Sequence, residues 1–151
     1  MERRPPMGDR TGYRLVKLGD AMLSLAEETL APLGVKSKHV HVMETLLTYD
    51  GLSQQDVSRI LGIDPNVLVG VIDELEDRGF AERRRNPEDR RRHLVHVTDA
   101  GREAVETSRR LLGAAEEAFF AVLDPAEVDT LRDASDRLLA AHRPGWQSVD
   151  C

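Results

Sequence analysis

The chain has 151 residues, of which 40% are apolar and 32% charged, enough for a hydrophobic core and too evenly charged for a membrane protein. No apolar run approaches the roughly 18 residues of a transmembrane helix, and the N-terminus lacks the apolar stretch of a signal peptide. The single Cys151 offers no internal disulfide and no zinc site, so we expect a soluble, cytoplasmic protein. The length of the chain predicts one domain, 1–151. The formal net charge of −6 argues at first against a nucleic-acid partner.

The first part of the chain is predicted to be helical. Apolar residues recur at helical spacing from Tyr13 to Leu33, a long amphipathic segment that should end near Gly34. A second helix is predicted from about Ser37 to Thr48, before the turn dipeptide Asp50-Gly51.

Two short helices then follow in tandem. Ser53 is a suitable N-cap with Asp56 three residues later, and Gly62 occupies the position of a left-handed residue after a helix end. Asp64 can cap the next helix, with Pro65 at its first position and an end near Arg78. A short helix, a turn with glycine and a second helix form the helix-turn-helix pattern.

The second of these helices has two different faces. Its buried face is predicted to consist of Leu68, Val71, Ile72 and Leu75. The opposite face carries four residues flanked by Val67 and Val69: Asn66, Gly70, Asp73 and Asp77. Since its C-terminal half is acidic, only its N-terminal turns are expected to enter a DNA groove.

After Gly79 the apolar period changes from 3.6 to 2. Residues 80–85 and 93–97 are predicted to be strands around a turn at 86–89, and Thr98 then caps a long helix. Asp124-Pro125-Ala126-Glu127 begins a last helix that should stop before Pro144-Gly145. The expected fold class is therefore mainly α with a small β-hairpin.

The charge is unevenly distributed along the sequence. Residues 78–102 hold eight arginines and four acidic residues, a net charge of +4, which leaves −10 elsewhere. An acidic protein with a compact basic segment can present one positive face to a polyanion. The alternative interpretation of this segment is a solvated basic hairpin.

The residues in this order resemble the MarR family of bacterial transcriptional regulators. The resemblance lies in the helix-turn-helix at 52–65 and in residues 75–83, which end its second helix and lead into the hairpin. Its strongest element is the wing motif Asn86-Pro87-Glu88-Asp89-Arg90-Arg91-Arg92 followed by Thr98-Asp99-Ala100-Gly101-Arg102. It implies a winged helix-turn-helix lobe at 36–101, with dimerisation helices at 10–34 and 102–143. The implied protein is a homodimeric, sequence-specific regulator, a repressor modulated by a small molecule, that binds a pseudo-palindromic double-stranded operator.

The same resemblance implies roles for individual residues. Arg90 would enter the minor groove, where arginine is favoured, while Asp89 would hydrogen-bond a neighbouring wing arginine. Asn66, Val67 and Val69 would face the major groove, where asparagine can bond adenine and valine can contact a thymine methyl. The remaining predicted DNA contacts are Ser53, Gln54, Lys36, Lys38, Arg84 and Arg91.

The exposed side of the second helix departs from the family, which often has Ser or Thr and Arg where this chain has Val67, Val69 and Gly70. This departure shifts expected specificity toward the wing and DNA shape. It also keeps open an alternative function, a winged-helix dimer that acts as a protein-interaction module without operator binding.

Other chemistries are weaker candidates. His39 and His41 lie near Glu44, but residues two apart on a helix do not face each other, so we predict no metal site and expect surface or pocket-lining histidines. No catalytic constellation or cofactor motif is present, so we predict neither an enzyme nor a cofactor. Family resemblance suggests a pocket for a small aromatic or phenolic effector, with four candidate residues: Tyr13, Arg14, His41 and Met43.

Overall fold

The computed structural model describes residues 7–143, so the predictions on Pro144-Gly145 and Cys151 lie outside the described residues. The elements run in the order α1 (Thr11–Leu30), a 3₁₀ helix (Ala31–Leu33), α2 (Ser37–Thr48), α3 (Gln54–Leu61), α4 (Pro65–Asp77), β1 (Ala81–Arg85), β2 (His93–Val97), α5 (Asp99–Phe120) and α6 (Pro125–His142). The predicted mainly helical fold with one hairpin is confirmed. The chain divides into two compact units between Ala115 and Glu116.

The first unit has a core formed by its helix-turn-helix and hairpin. The buried residues come from α2, α3, α4, both strands and α5: Val42, Met43, Leu46, Val57, Leu68, Val71, Ile72, Leu75, Ala81, Val95 and Val105. The four predicted core residues of α4 are all buried, because their spacing places them on one face of the helix. This core holds α4 with its opposite face toward solvent.

Local signals fix the turn between α3 and α4. The Ser53 hydroxyl accepts the Asp56 N–H at 3.2 Å, and Gly62 adopts a left-handed conformation with φ of 64°. The Asp64 carboxylate accepts the Asn66 N–H at 2.8 Å, and Pro65 is the first residue of α4. The predicted caps and the helix-turn-helix are confirmed.

The hairpin is antiparallel, with Ala81 paired to Val97 and Arg85 to His93. The return strand has its predicted bounds, and β1 starts one residue later than predicted. Leu52 also forms a bridge to β2, in which the Val95 N–H donates to the Leu52 carbonyl at 2.8 Å. This bridge, which sequence periodicity did not predict, joins the chain before α3 to the base of the hairpin.

The start of α5 packs very closely on the base of the hairpin. The Thr98 hydroxyl donates to the Gly79 carbonyl at 2.6 Å and accepts the Gly101 N–H at 3.1 Å. Gly101 is buried, and a methyl group in its place would lie 2.6 Å from Cγ1 of Val97. Glycine is therefore required for this approach.

Two helices bury little of their apolar surface. Leu30 is the only buried residue of α1, and none of the residues of α6 is buried. The exposed apolar side chains of α1 are Leu15, Val16, Leu18 and Leu23. Between residues 7 and 143, no helix is both long and apolar enough to cross a membrane.

Candidate nucleic-acid interface

The outer face of α4 is open to solvent at its N-terminal half. Asn66 is exposed, and the side chains of Val67 and Val69 are 58% and 39% exposed. A methyl group at Gly70 would meet no atom within 4 Å, so this face is flat there. The predicted division of α4 into a buried and an exposed face is confirmed.

One wing residue, Arg83, pairs with two of the four acidic residues in the C-terminal half of α4. Its guanidinium donates to Gln54 at 2.8 Å, to Asp73 at 2.8 Å, and also to Glu76. The Arg83 backbone N–H donates to a Glu76 oxygen at 3.1 Å. One side chain thus joins α3, α4 and β1, a contact set that no sequence pattern predicted.

The wing tip is a hydrogen-bonded loop between the two strands. The Asn86 N–H donates to the Arg92 carbonyl at 2.8 Å, and the Arg92 N–H donates to the Asp89 carbonyl at 2.9 Å. The Asp89 carboxylate accepts the Arg91 N–H at 3.0 Å and lies 3.6 Å from Nε of Arg92. Asp89 therefore orders the loop through these contacts, with Arg92 as its side-chain partner.

The remaining wing arginines differ in their partners. Arg84 forms an ion pair with Glu82 within β1. Within residues 7–143, the exposed guanidinium groups of Arg85, Arg90 and Arg91 have no acidic partner. An unpaired arginine fork can bind a phosphate or a base edge without first losing an internal partner.

The predicted phosphate contacts on α2 and α3 mostly have internal partners. The Ser53 hydroxyl donates to Asp56 at 2.6 Å, and the Gln54 side-chain oxygen accepts from Arg83. Nζ of Lys38 lies 3.4 Å from Glu74, while Lys36 is exposed. The amide N–H groups at the start of α3 remain suited to phosphate oxygens.

A surface position for His39, one of the two predicted alternatives, is wrong, because the side chain is fully buried where α2 meets α4. Its Nδ1 accepts the Lys36 N–H at 3.0 Å, so Nε2 carries the proton and donates to the Glu74 carboxylate at 2.5 Å. Burial lowers the pKa of His39, and the hydrogen bond from His39 lowers the pKa of Glu74. The pair is a neutral histidine bonded to a carboxylate that fixes α4 to α2.

The four predicted ligand residues occupy different environments. Met43 is fully buried in the lobe core, whereas His41 and Arg14 are exposed. Tyr13 is half-buried, with Nζ of Lys17 5.7 Å from the centre of its ring. None of the four lines the open cavity of about 320 Å³ between α2 and α5, whose walls are Leu47, Thr48, Arg102, Val105, Glu106 and Arg109.

A metal centre finds little support in the described part of the chain. Among residues 7–143, no three His, Cys, Asp or Glu side chains come together in a way that could hold a metal ion. His41 is exposed while His39 is bonded to Glu74, so the two histidines do not share a site.

Comparison with known proteins identifies this lobe. The model of the MarR family matches residues 36–93, which include α2, α3, α4, β1 and the loop at the wing tip. An uncharacterized HTH-type transcriptional regulator of Bacillus subtilis, YdgJ, is 35% identical over 77 residues, 51% of this chain and 47% of that protein. The chain spans about half the length of the curated relatives it matches.

Solved structures extend the similarity to nearly the whole chain. A MarR-family transcriptional regulator from Rhodococcus sp. RHA1 is 27% identical, with a TM-score of 0.77, over 93% of this chain and 99% of that one. CouR from Rhodococcus jostii RHA1, solved bound to p-coumaroyl-CoA, is also 27% identical, with a TM-score of 0.76, over 96% of this chain and 100% of that one. The helix-turn-helix, the arginine-tipped wing and these similarities show that the chain resembles MarR-family transcriptional regulators, in the sequence of this lobe and in its fold.

Proposed function

We propose that the chain is a sequence-specific, double-stranded DNA-binding transcriptional regulator. The observation that carries this proposal is the pairing of two surfaces on one lobe, the open N-terminal half of α4 and a wing tip with unpaired arginines. A helix of this kind fits the major groove, and arginine is favoured in a narrow, electronegative minor groove. The negative charge of the rest of the chain disfavours other docking orientations.

The proposal assigns a role to each candidate residue. Arg90 enters the minor groove, while Asp89 holds the loop that presents it. Asn66, Val67 and Val69 face the major groove. Phosphate contacts are assigned to residues at the edges of this surface: Lys36, Lys38, Ser53, Gln54, Arg84 and Arg91. Because Lys38 and Arg84 have acidic partners, we expect each to contribute less to binding than Arg90.

The active form in this proposal is a homodimer. Three leucines and one valine of α1 are exposed in the single chain, and a second copy would cover this apolar surface. A twofold dimer places two α4 helices on half-sites about 34–36 Å apart, one turn of DNA. Sedimentation of the full chain should then give twice the monomer mass.

Regulation by a small aromatic or phenolic effector belongs to the same proposal. CouR was solved with p-coumaroyl-CoA, a phenolic thioester. In this chain Tyr13, Arg14 and His41 remain candidates, and Met43 contributes only if the core opens. An effector would act by binding one arrangement of the two lobes better than another, which releases a repressor from its operator. A cytoplasmic location fits an operator-binding protein.

The test is a binding titration with duplexes from the DNA upstream of the protein's own gene. Affinity for the duplex should fall steeply between 50 and 200 mM salt. Binding releases cations from each phosphate that the protein neutralises, and this release favours binding less as the salt concentration rises. Absence of any salt-sensitive complex at 50 mM would contradict DNA binding. It would favour the second candidate, a protein-interaction module, which Gly70 supports because it leaves the middle of α4 without a base-reading side chain.

A further inference from the structure

The surface of α4 that faces outward has an unusual chemistry for base reading. Over its N-terminal half, the exposed side chains after Pro65 are Asn66, Val67 and Val69, and Gly70 has none. The helix contains no Arg, Lys, Gln, Ser or Thr at all. Hydrogen-bonded reading of guanine by arginine is therefore unavailable to this helix.

The acidic residues farther along α4 do not fill this gap. A carboxylate can accept from the cytosine amino group, but Asp73 is bonded to Arg83 at 2.8 Å, and Glu74 is bonded to His39. Glu76 is also held by Arg83, and Asp77 is the last residue of α4, far from its N-terminal turns. Asn66 is thus left as the polar reader at the N-terminal end, and the rest of the contact there is apolar.

Val67 and Val69 can recognise one feature of the major groove. Pyrimidines present an apolar group there only when C5 carries a methyl, as thymine does and cytosine does not. A flat site at Gly70 lets the backbone of α4 approach the base edges, which brings the two valines within reach of such methyls.

We infer that α4 selects DNA through the C5 methyl groups of pyrimidines, contacted by Val67 and Val69. This inference rests on the proposed operator binding and names the chemical class of base that the helix reads. A position read in this way accepts thymine, accepts 5-methylcytosine in its place, and discriminates against both uracil and unmodified cytosine. Its operator should therefore contain thymines at the positions that lie under α4.

The probe is a duplex selected by the full-length protein from a random-sequence pool. Each thymine is replaced in turn by deoxyuridine, which removes one methyl from the major groove and leaves the base-pairing edge and the minor groove unchanged. Replacing a contacted thymine should weaken binding about fourfold, the equivalent of ~0.8 kcal/mol for one buried carbon. A T·A pair changed to 5-methyl-C·G at that position should bind better than the same pair changed to C·G.

Protein variants separate direct contact from altered DNA shape. V67A and V69A remove exposed methyl groups, so neither is expected to unfold the lobe, and circular dichroism checks this. If the valines touch the methyls, the variant should bind thymine and uracil duplexes equally at the position that its valine reads. The control is V122A, an exposed valine outside α4, which should keep the full discrimination.

Four results have distinct meanings. Loss of discrimination in V67A or V69A supports methyl reading. A selected duplex that binds equally well with uracil at every position overturns it, as does discrimination that both variants retain, and either result leaves operator binding intact. Selection of no duplex at all would remove the proposed function together with this inference.

Discussion

Gly101→Ala should destabilise the protein, although alanine is the better helix former. The added methyl would lie 2.6 Å from Cγ1 of Val97 and 3.0 Å from the carbonyl carbon of Phe80, well inside ordinary van der Waals contact. The Phe80 carbonyl cannot rotate away, because its oxygen accepts the Thr98 N–H at 3.0 Å. Either α5 or the hairpin must therefore move.

The magnitude follows from two opposing effects. Overpacking of a buried site costs roughly 1–3 kcal/mol, and an obstacle that is partly backbone places Gly101 at the upper end. Alanine returns about 0.5–1 kcal/mol of helix stability. We expect a net loss of ~2 kcal/mol in the free energy of unfolding, together with weaker duplex binding, because Phe80 and Val97 form the base of the wing.

Urea unfolding followed by circular dichroism, at one fixed protein concentration, measures this loss. The matched control is Gly113→Ala in the same helix, where a methyl would meet no atom within 4 Å. This control should be as stable as the parent or up to ~1 kcal/mol more stable. If Gly101→Ala were as stable as Gly113→Ala, the close packing of α5 on the hairpin would be refuted.

Three further predictions concern charged groups. Arg90→Ala should leave stability unchanged and lower the salt dependence of duplex binding, measured by anisotropy titration, by about the contribution of one phosphate contact. Arg132→Ala makes the same charge change on α6 and should leave the stability and the salt dependence unchanged. Arg83→Gln should weaken binding and cost about 1–2 kcal/mol in urea unfolding, because it frees carboxylates on α4, and unchanged binding would contradict this. The pKa of His39 is below 6.5 in the folded state, and the pKa of Glu74 is also lowered. The free energy of unfolding should therefore be at its full value above pH 6.5 and fall on acidification, because the unfolded chain takes up these protons more readily. His39→Gln should flatten that loss between pH 7 and 5.

The local signals in the sequence predicted the elements well. Ser53, Gly62 and Asp64 each act through neighbouring backbone, so their caps and turn follow from the residue types alone. The four apolar positions of α4 likewise follow from helical spacing. These predictions required no knowledge of which elements meet in space.

The long-range contacts could not be predicted in this way. His39 is 35 residues from Glu74, and Arg83 is 29 residues from Gln54, so no spacing rule connects either pair. A surface or pocket-lining position is the expectation for a histidine on an amphipathic helix, since the sequence does not reveal its carboxylate partner on α4. The same limit applies to Met43, a proposed ligand residue that the fold places in the core.

The position of Arg83 changes how the charge of this chain should be understood. By sequence, the acidic end of α4 would repel phosphate and oppose its entry into a groove. In the fold, Arg83 forms ion pairs with Asp73 and Glu76 and offsets one of their two negative charges at hydrogen-bond distance, where opposite charges interact far more strongly than separated ones across water. One wing arginine therefore reduces the repulsion of phosphate at α4, and Arg90 at the tip, which has no acidic partner among residues 7–143, is available for the proposed contact with DNA. The net charge of −6 consequently says little about the surface proposed to bind DNA, since local pairing decides which charges that surface presents.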